Sequence, residues 1–253
     1  MRAAKMARVR PLLRENPDLV MRDDGVVDSL TPALREEFAV IDTENVSSLP
    51  YDATIYEFLE PHKDGLVLDC GAGLRPVYLE NVVNYEIVDY ASTDVIGVAE
   101  RLPFKDDSFD AIISMAVLEH VKYPFAAAKE IVRVLKPGGK LMACVPFLQP
   151  LHGYPHHYFN MSHSGLRTLF EDGMDVDRQD VSLGTSPVFT LTWFIKSWAS
   201  GLRRETREEF LNMSVRDFLK QPEELVLKPF CLELTPDKNF ELASATFLYG
   251  TKR

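Results

Sequence analysis

Residues 66–73 constrain the fold of this chain more than any other stretch, because they join a buried strand to a glycine turn. The apolar residues Leu66, Val67 and Leu68 run into Asp69, and Gly71 and Gly73 follow at once. A short apolar run of this kind is typical of a buried parallel strand, and glycines let the backbone turn sharply beside a ligand. The stretch therefore predicts a nucleotide-type site at the end of a strand.

The spacing of the two glycines argues against a dinucleotide fingerprint. That pattern needs a third glycine three residues after Gly73, where the chain has Pro76. Asp69 would also repel a pyrophosphate held at a helix N-terminus, unless its charge is screened or turned away. A carboxylate at this place instead favours a ligand with cationic groups. S-adenosylmethionine, which carries an ammonium and a sulfonium, is such a ligand.

Charge and composition narrow the class of protein. The 253 residues include 38 acidic and 28 basic ones, a formal charge of -10 that disfavours a nucleic-acid partner. Cys70, Cys144 and Cys231 are odd in number and widely spaced, so we expect neither a disulfide framework nor a zinc site. Three histidines within residues 152–157 suggest a metal site as an alternative, but they lack a nearby carboxylate or thiolate, so we expect no metal. No apolar run is long enough to predict a membrane span or a signal peptide, so we expect a cytoplasmic protein. A homodimer remains open.

Strand-like and helical stretches alternate along the chain, which indicates a parallel sheet with crossover helices. Helices are predicted near residues 75–80 and 124–135. Strands are predicted at 66–70, 82–88, 94–97, 109–114 and 140–145 and, around a helical insertion at about 187–225, at 176–183 and 240–251. The prediction is a seven-stranded, mostly parallel sheet with an N-terminal helical cap over residues 1–60 and a helical insertion before the last strand.

Four further stretches follow the glycine turn in a regular order, at residues 100–104, 108–113, 117–121 and 130–139. With the turn, they resemble the class I S-adenosylmethionine-dependent methyltransferases of type 11 over roughly residues 65–146. This resemblance implies a Rossmann-like α/β fold, a methyltransferase domain over residues 61–253, S-adenosyl-L-methionine as cofactor and methyl transfer as activity.

The resemblance also implies a cofactor site. Its candidate residues are Asp69, Gly71, Ala72, Gly73, Glu86, Asp89, Val98, Ala99, Glu100, Met115 and Ala116. Asp69 would act on the cofactor's ammonium, through water, or else is a turn acid. Glu86, with Asp89 as its rival, would accept bonds from both ribose hydroxyls. Relatives have an Asp beside the adenine where this chain has Val98, so the backbone there would recognise the ring. Met115 would contact the cofactor or belong to the core.

Histidines are the candidates for catalysis, because a hydroxyl acceptor must lose its proton and histidine titrates in the useful range. They are His120, His152 and His157, of which the last two lie in a loop over residues 146–162 after the fifth strand. Open α/β sheets bind ligands at that edge. Alternatively the loop histidines bond to backbone carbonyls, and His120 holds the loop in place. Glu119 is interpreted as a helix-start acid.

The acceptor is predicted to be a hydroxyl on a small molecule or a glycan precursor. The loop resembles that of methyltransferases from cell-surface polysaccharide and glycan biosynthesis, although many of those have Asp and Arg where this chain has His157 and Asn160. A quinone or phenol acceptor is the enzymatic alternative, because an aromatic insertion around Trp193 and Trp198 would suit a flat apolar pocket. A non-catalytic regulatory protein that binds the cofactor is the third possibility, motivated by Val98.

Overall fold

The computed structural model describes residues 1–41, 47–48, 50–153 and 156–252, which fall into two compact units. The first unit consists of Met1–Phe147 and Gly153–Gln179. The second consists of Leu148–His152 and the chain from Asp180 onward. The predicted division into a cap over residues 1–60 and a domain over residues 61–253 stays a prediction, and part of that cap, residues 42–46 and 49, lies outside the described residues.

A seven-stranded sheet forms the centre of the first unit. Its strands are β1 (Val20–Met21), β2 (Val27–Asp28), β3 (Val67–Cys70), β4 (Val82–Glu86), β5 (Val95–Ile96), β6 (Phe109–Met115) and β7 (Leu135–Cys144). Their spatial order is β1-β2-β5-β4-β3-β6-β7. β1 and β2 are antiparallel, while the other neighbouring pairs are parallel. The predicted α/β class and the seven-stranded, mostly parallel sheet are confirmed.

Two of the seven strands differ from the predicted ones. β1 and β2 come from the stretch predicted to be helical, because β2 pairs in parallel with β5 through Val27 and Val95. The strands predicted at 176–183 and 240–251 are wrong. Val181 and Phe247 are 69% and 86% exposed, so these stretches do not bury the side chains that a sheet strand would bury. Consequently the insertion does not precede a last strand in the described residues.

The helices of the first unit are α1 (Arg2–Val9), α2 (Pro32–Glu37), α3 (Ala53–Leu59), α4 (Pro124–Val134) and α5 (His163–Phe170). α2 begins at the Thr31-Pro32 signal, where the Thr31 hydroxyl accepts a bond from the Leu34 N–H. α4 buries Ala127, Ile131 and Val134, residues at helical spacing, in the core. The helix predicted at 75–80 is absent: this stretch is irregular, and the Arg75 N–H donates to the Ser92 hydroxyl.

The second unit is helical in its described part. Its helices are α6 (Pro187–Ser200), α7 (Arg204–Leu211), α8 (Pro229–Leu232) and α9 (Pro236–Leu242). Trp198 stacks on Phe210 with ring centroids 5.7 Å apart, and its indole N–H donates to the Phe230 carbonyl at 2.7 Å. Trp198 therefore belongs to the core of this unit. Among the described helices of the chain, none is both long and apolar enough to cross a bilayer.

Candidate functional site

The glycine turn follows β3 and is fastened to the end of β4. The N–H groups of Gly71 and Ala72 both donate to the Tyr85 carbonyl, at 2.9 and 3.0 Å. Gly71 and Gly73 have φ angles of +82° and +61°, in the left-handed region that glycine adopts readily. A Cβ on Gly71 would also overlap Val117. Both the backbone and the available space therefore require glycine at position 71.

Glu86 lies at the end of β4 and binds the glycine turn directly. Its Oε2 accepts a bond from the Gly73 N–H and its Oε1 one from the Ile87 N–H, each at 2.7 Å. Burial raises the pKa of Glu86, although the backbone N–H groups that it accepts from partly offset this effect. The structure thus brings a buried carboxylate and the glycine turn together.

Asp89, the rival of Glu86, lies on the surface. Its side chain is 49% exposed, and its Oδ2 accepts a bond from Arg22 Nη1 at 2.6 Å. The surface pair of Arg22 and Asp89 is separate from the contact between Glu86 and the turn. The two candidate ribose acids therefore differ in position: Glu86 bonds to the glycine turn, whereas Asp89 pairs with Arg22 at the surface.

Asp69 is fully buried at the end of β3 and has protein partners for its charge. Its Oδ2 accepts bonds from the Tyr51 hydroxyl at 2.7 Å and from Arg75 Nε at 2.8 Å, and its Oδ1 accepts one from Arg75 Nη2 at 3.2 Å. Neither Arg75 nor Tyr51 was predicted from the sequence. The sequence signal that could have indicated Arg75 is a basic residue two positions after Gly73, close in the chain to the predicted buried acid Asp69. Because Arg75 compensates Asp69, the negative charge that favoured a cationic ligand is screened.

The residues after β5 pack into the protein. The Val98 side chain is 2% exposed and lies in an apolar cluster with Val26, Leu30 and Phe38. The Val98 carbonyl accepts a bond from the Tyr85 hydroxyl at 2.8 Å. An acid at position 98 would lie in an apolar environment in this conformation, which gives a physical reason for valine there.

Ala99 and Glu100, which follow Val98, are also buried. The Glu100 carboxylate accepts a bond from the Tyr123 N–H at 3.3 Å, and burial raises the pKa of Glu100. Glu100 is thus bonded to the segment that leads into α4.

Met115 and Ala116 lie at the end of β6. Met115 is half-buried and packs against a cluster that includes Tyr51 and Ile113. Ala116 has a φ of +55°, which is uncommon for a residue with a Cβ, and its N–H donates to the Cys144 carbonyl at 2.9 Å. Such strain at the carboxyl edge of a sheet is frequent at ligand sites.

His120 packs beneath the described part of the histidine loop that belongs to the first unit. Its Nδ1 lies 2.7 Å from the His156 carbonyl oxygen, and a Cβ on Gly153 would overlap its ring. A carbonyl only accepts, so Nδ1 carries the proton and the lone pair of the neutral ring is on Nε2. Glu119 is fully buried, with Oε1 3.7 Å from His120 Nε2.

Glu119 is not a helix-start acid, because α4 begins at Pro124. The backbone carbonyl of Glu119 instead accepts bonds from the Tyr158 and Phe159 N–H groups, at 2.7 and 3.1 Å. These bonds connect the segment after β6 with the segment after β7. Glu119 was therefore interpreted wrongly, since its role depends on a contact between residues far apart in the chain.

The two loop histidines differ in their surroundings. His157 Nε2 lies 2.9 Å from Asn160 Oδ1, and its ring meets that of His120 edge-on, with centroids 5.4 Å apart. His152 belongs to the second unit, where its ring lies 5.0 Å from that of Trp193 and its Nδ1 lies 3.0 Å from the Pro150 carbonyl. Bonds from His120 and His152 to backbone carbonyls agree with the structural alternative. Residues 154–155 of the loop lie outside the described residues.

Comparison with known proteins gives a family match for the central part of the chain. Residues 68–143, which run from β3 to β7, match the family model Methyltransf_11, described as a methyltransferase domain. The match is to a methyltransferase domain and covers less than half of the chain. The matched segment contains the glycine turn, Glu86 and the end of β6, so the predicted family is confirmed where the sequence motifs lie.

The curated relatives share only part of their length with this chain. An uncharacterized protein of Methanocaldococcus jannaschii is 37% identical over 97 residues, which are 34% of this chain and 43% of the relative. The demethylmenaquinone methyltransferase of Mycobacterium tuberculosis is 48% identical over 50 residues, 20% of this chain and 21% of the enzyme. The chain thus spans less than half the length of these relatives.

Two solved structures give a similar picture of partial likeness. The YcgJ protein of Bacillus subtilis is 19% identical, with a TM-score of 0.40, over 62% of this chain and 86% of that one. Phosphoethanolamine N-methyltransferase 2 of Haemonchus contortus, in complex with S-adenosyl-L-methionine, is 17% identical, with a TM-score of 0.42, over 68% of this chain and 44% of that one.

Proposed function

We propose that the chain is a methyltransferase that binds S-adenosyl-L-methionine across the glycine turn at the carboxyl edge of the sheet. The observation that carries the proposal is the bond between Glu86 and the Gly73 N–H. A carboxylate in this place is suited to accept bonds from the two ribose hydroxyls of the cofactor. The left-handed backbone at Gly71 and Gly73 leaves the turn without side chains, so that a ligand approaches it closely.

The remaining cofactor contacts follow from the same placement. Gly71, Ala72 and Gly73 would border the methionine part, and the backbone of Met115 and Ala116 would lie on its other side. The adenine ring would be recognised by the backbone of residues 98–100, because the Val98 side chain packs in an apolar cluster. Asp89 is the weaker candidate for the ribose, since Arg22 already pairs with it.

The acceptor is proposed to be a hydroxyl on a small molecule or a glycan precursor. Methyl transfer from a sulfonium is an in-line displacement, so positioning supplies much of the rate, about 7–11 kcal/mol in well-oriented pairs. A general base would remove the hydroxyl proton. His157 is the proposed base, with His120 and His152 as alternatives. His120 supports this chemistry with an Nε2 lone pair, because its Nδ1 is bonded to a carbonyl.

A quinone acceptor is the second candidate. It is favoured by the similarity to demethylmenaquinone methyltransferases, which extends over 50 residues of this chain. A non-catalytic regulatory protein that binds the cofactor is a third. A cytoplasmic location, the exclusion of a nucleic-acid partner and a homodimer remain predictions drawn from the sequence.

Two measurements test these proposals. Calorimetry with S-adenosylhomocysteine should detect binding, and an absence of binding at millimolar concentration would contradict the enzyme hypothesis. Transfer of a labelled methyl group from S-adenosylmethionine would then be measured on a panel of reduced naphthoquinones and hydroxyl-bearing glycan precursors. Label on the glycan precursors is expected. Label on the quinols would select the second candidate, and cofactor binding without transfer to any acceptor would favour the regulatory one.

A further inference from the structure

Arg75 and Asp69 form a buried ion pair directly under the glycine turn. Their side chains are 5% and 0% exposed, and two guanidinium nitrogens of Arg75 donate to the two carboxylate oxygens of Asp69. This bidentate geometry is the strongest that an arginine and a carboxylate form. A buried charge without a partner is strongly unfavourable, so each residue requires the other.

Tyr51 completes the group from the N-terminal side. Its hydroxyl donates to Asp69 Oδ2 at 2.7 Å, and the Arg75 guanidinium lies over its ring, 4.5 Å from the centroid. Burial, followed by the charge of Asp69, raises the pKa of Tyr51 far above its ordinary value. Tyr51 therefore keeps its proton and remains a donor. The carboxylate of Asp69 has three hydrogen bonds from protein groups.

The backbone around Arg75 is held as firmly as its side chain. The Arg75 N–H donates to the Ser92 hydroxyl at 2.9 Å, and that hydroxyl donates to the Gly73 carbonyl at 3.4 Å. The Leu74 N–H donates to the Ser47 carbonyl at 2.8 Å. These bonds connect the backbone of Arg75 with that of the turn, whose Gly73 N–H donates to Glu86.

We propose that Arg75 is a positioning residue of the cofactor site: it compensates Asp69 and holds this carboxylate below the turn. Asp69 then shapes the turn and does not serve as the counter-ion of the cofactor's ammonium. This inference rests on the proposed function, since it assigns roles within the same cofactor site. It revises the role that the sequence suggested for Asp69.

Two ligands separate the positioning role from the counter-ion role. S-adenosylhomocysteine carries the amino-acid part, whereas 5′-methylthioadenosine has the same adenosine and thioether without the ammonium and carboxylate.

Three variants change the ion pair. Arg75→Met removes the charge at similar volume and leaves Asp69 uncompensated. The double variant Asp69→Asn/Arg75→Met removes both charges. Arg75→Lys restores the charge without the bidentate geometry.

The positioning role predicts equal effects on both ligands. Arg75→Met should weaken the binding of each by about tenfold or more, equivalent to about 1.4 kcal/mol, because a distorted turn also displaces Glu86. The double variant should recover both affinities to within about threefold of the wild type, since no buried charge is left unpaired. The affinities of Arg75→Lys should lie between those of Arg75→Met and those of the double variant. If Arg75→Met does not fold, the affinities of the double variant and of Arg75→Lys still separate the positioning role from the counter-ion role.

Three results would overturn the inference. One is a double variant that loses affinity for S-adenosylhomocysteine but not for 5′-methylthioadenosine, since Asp69 would then contact the ammonium. Another is an Arg75→Met variant that binds both ligands like the wild type. The third is a wild-type chain that binds neither ligand. In that case the proposed function is wrong and the inference falls with it, whereas the first two leave the proposed function intact.

A surface pair provides the control. Lys140 and Asp177 are joined at 2.7 Å, but their side chains are 56% and 68% exposed. Lys140→Met removes the same kind of charge from a solvated pair, whose contribution is small. It should leave both affinities unchanged. A loss of affinity in Lys140→Met as large as that in Arg75→Met would mean that net charge, and not the position of Asp69, is the cause.

Discussion

The glycine turn and the part of the histidine loop that belongs to the first unit are built in different ways. The turn is held by left-handed glycines, a buried carboxylate and a buried ion pair. In the first unit, the loop is held by bonds from its backbone to Glu119 and by half-buried histidine rings. The turn is the proposed cofactor half of the site and is held by buried contacts. The loop is the proposed acceptor half, and its described part depends on a few polar contacts nearer the surface.

The largest effect is expected from the acceptor half. His157→Ala should lower turnover by about 10²–10⁴-fold, because it removes the proposed general base. Stability and S-adenosylhomocysteine affinity should remain close to wild type, since the His157 ring is half-buried and its Nε2 lies 2.9 Å from Asn160 Oδ1 near the surface. Methyl transfer to the acceptor found in the panel measures the effect. His163→Ala, which changes an exposed histidine at the start of α5, is the control. Wild-type turnover in His157→Ala would contradict the role.

A substitution in the glycine turn should lower the free energy of unfolding. Gly71→Ala should destabilise the fold by about 2–5 kcal/mol, from backbone strain together with overlap with Val117. Gly138→Ala is the matched control, because Gly138 has a φ of +79° but open space around it. It should show the strain alone, about 1–2 kcal/mol. Urea unfolding of both variants checks the difference. Equal losses would mean that the turn is not tightly packed.

A smaller effect should distinguish the two acids near the ribose. Glu86→Gln puts an amide donor against the N–H group of Gly73 or Ile87, and it removes the charge that would bind the ribose hydroxyls. We expect the affinity for S-adenosylhomocysteine to fall about tenfold. Asp89→Asn should leave it within about twofold, as Asp89 is in an exposed ion pair. Calorimetry on both variants measures this, and the reverse order would assign the ribose to Asp89.

The smallest effect is the pH dependence of stability and of cofactor affinity that the raised pKa of Glu86 should cause. Burial raises the pKa of Glu86 above 4.5, so its contribution to stability is fully present below 4.5 and is lost as the pH rises through the raised value. Cofactor affinity should change in the opposite direction, falling as the pH drops through the raised pKa, because ribose hydroxyls donate to the carboxylate. Calorimetry over this pH range should show the dependence in wild type but not in Glu86→Gln. The same dependence in both would exclude Glu86 as its source.

The local patterns of this chain predicted what they directly encode. The apolar run before Asp69 predicted β3, and the Thr31-Pro32 pair predicted the start of α2. β1 and β2 have two residues each, too short for an alternating pattern, and they exist through pairing with one another and with β5. The stretches at 176–183 and 240–251 have the composition of strands, but α9 runs into the second one as far as Leu242, and Val181, Leu183, Phe247 and Leu248 are exposed.

The contacts among the candidate site residues were predictable only where they depend on local features. The glycines and Glu86 follow from strand ends, which are local features of the sequence. The pairing of Asp69 with Arg75 and Tyr51 was not predictable, because it depends on how the turn folds back and on a residue 18 positions earlier in the chain. The role of Glu119 likewise depends on residues near position 158.

A crystal structure with S-adenosylhomocysteine bound tests the central claim most directly. We predict that the ligand lies across the glycine turn, with both ribose hydroxyls bonded to the Glu86 carboxylate and Asp69 still paired with Arg75. A ligand whose ribose is bonded to Asp89, or whose ammonium has displaced Arg75 from Asp69, would contradict it.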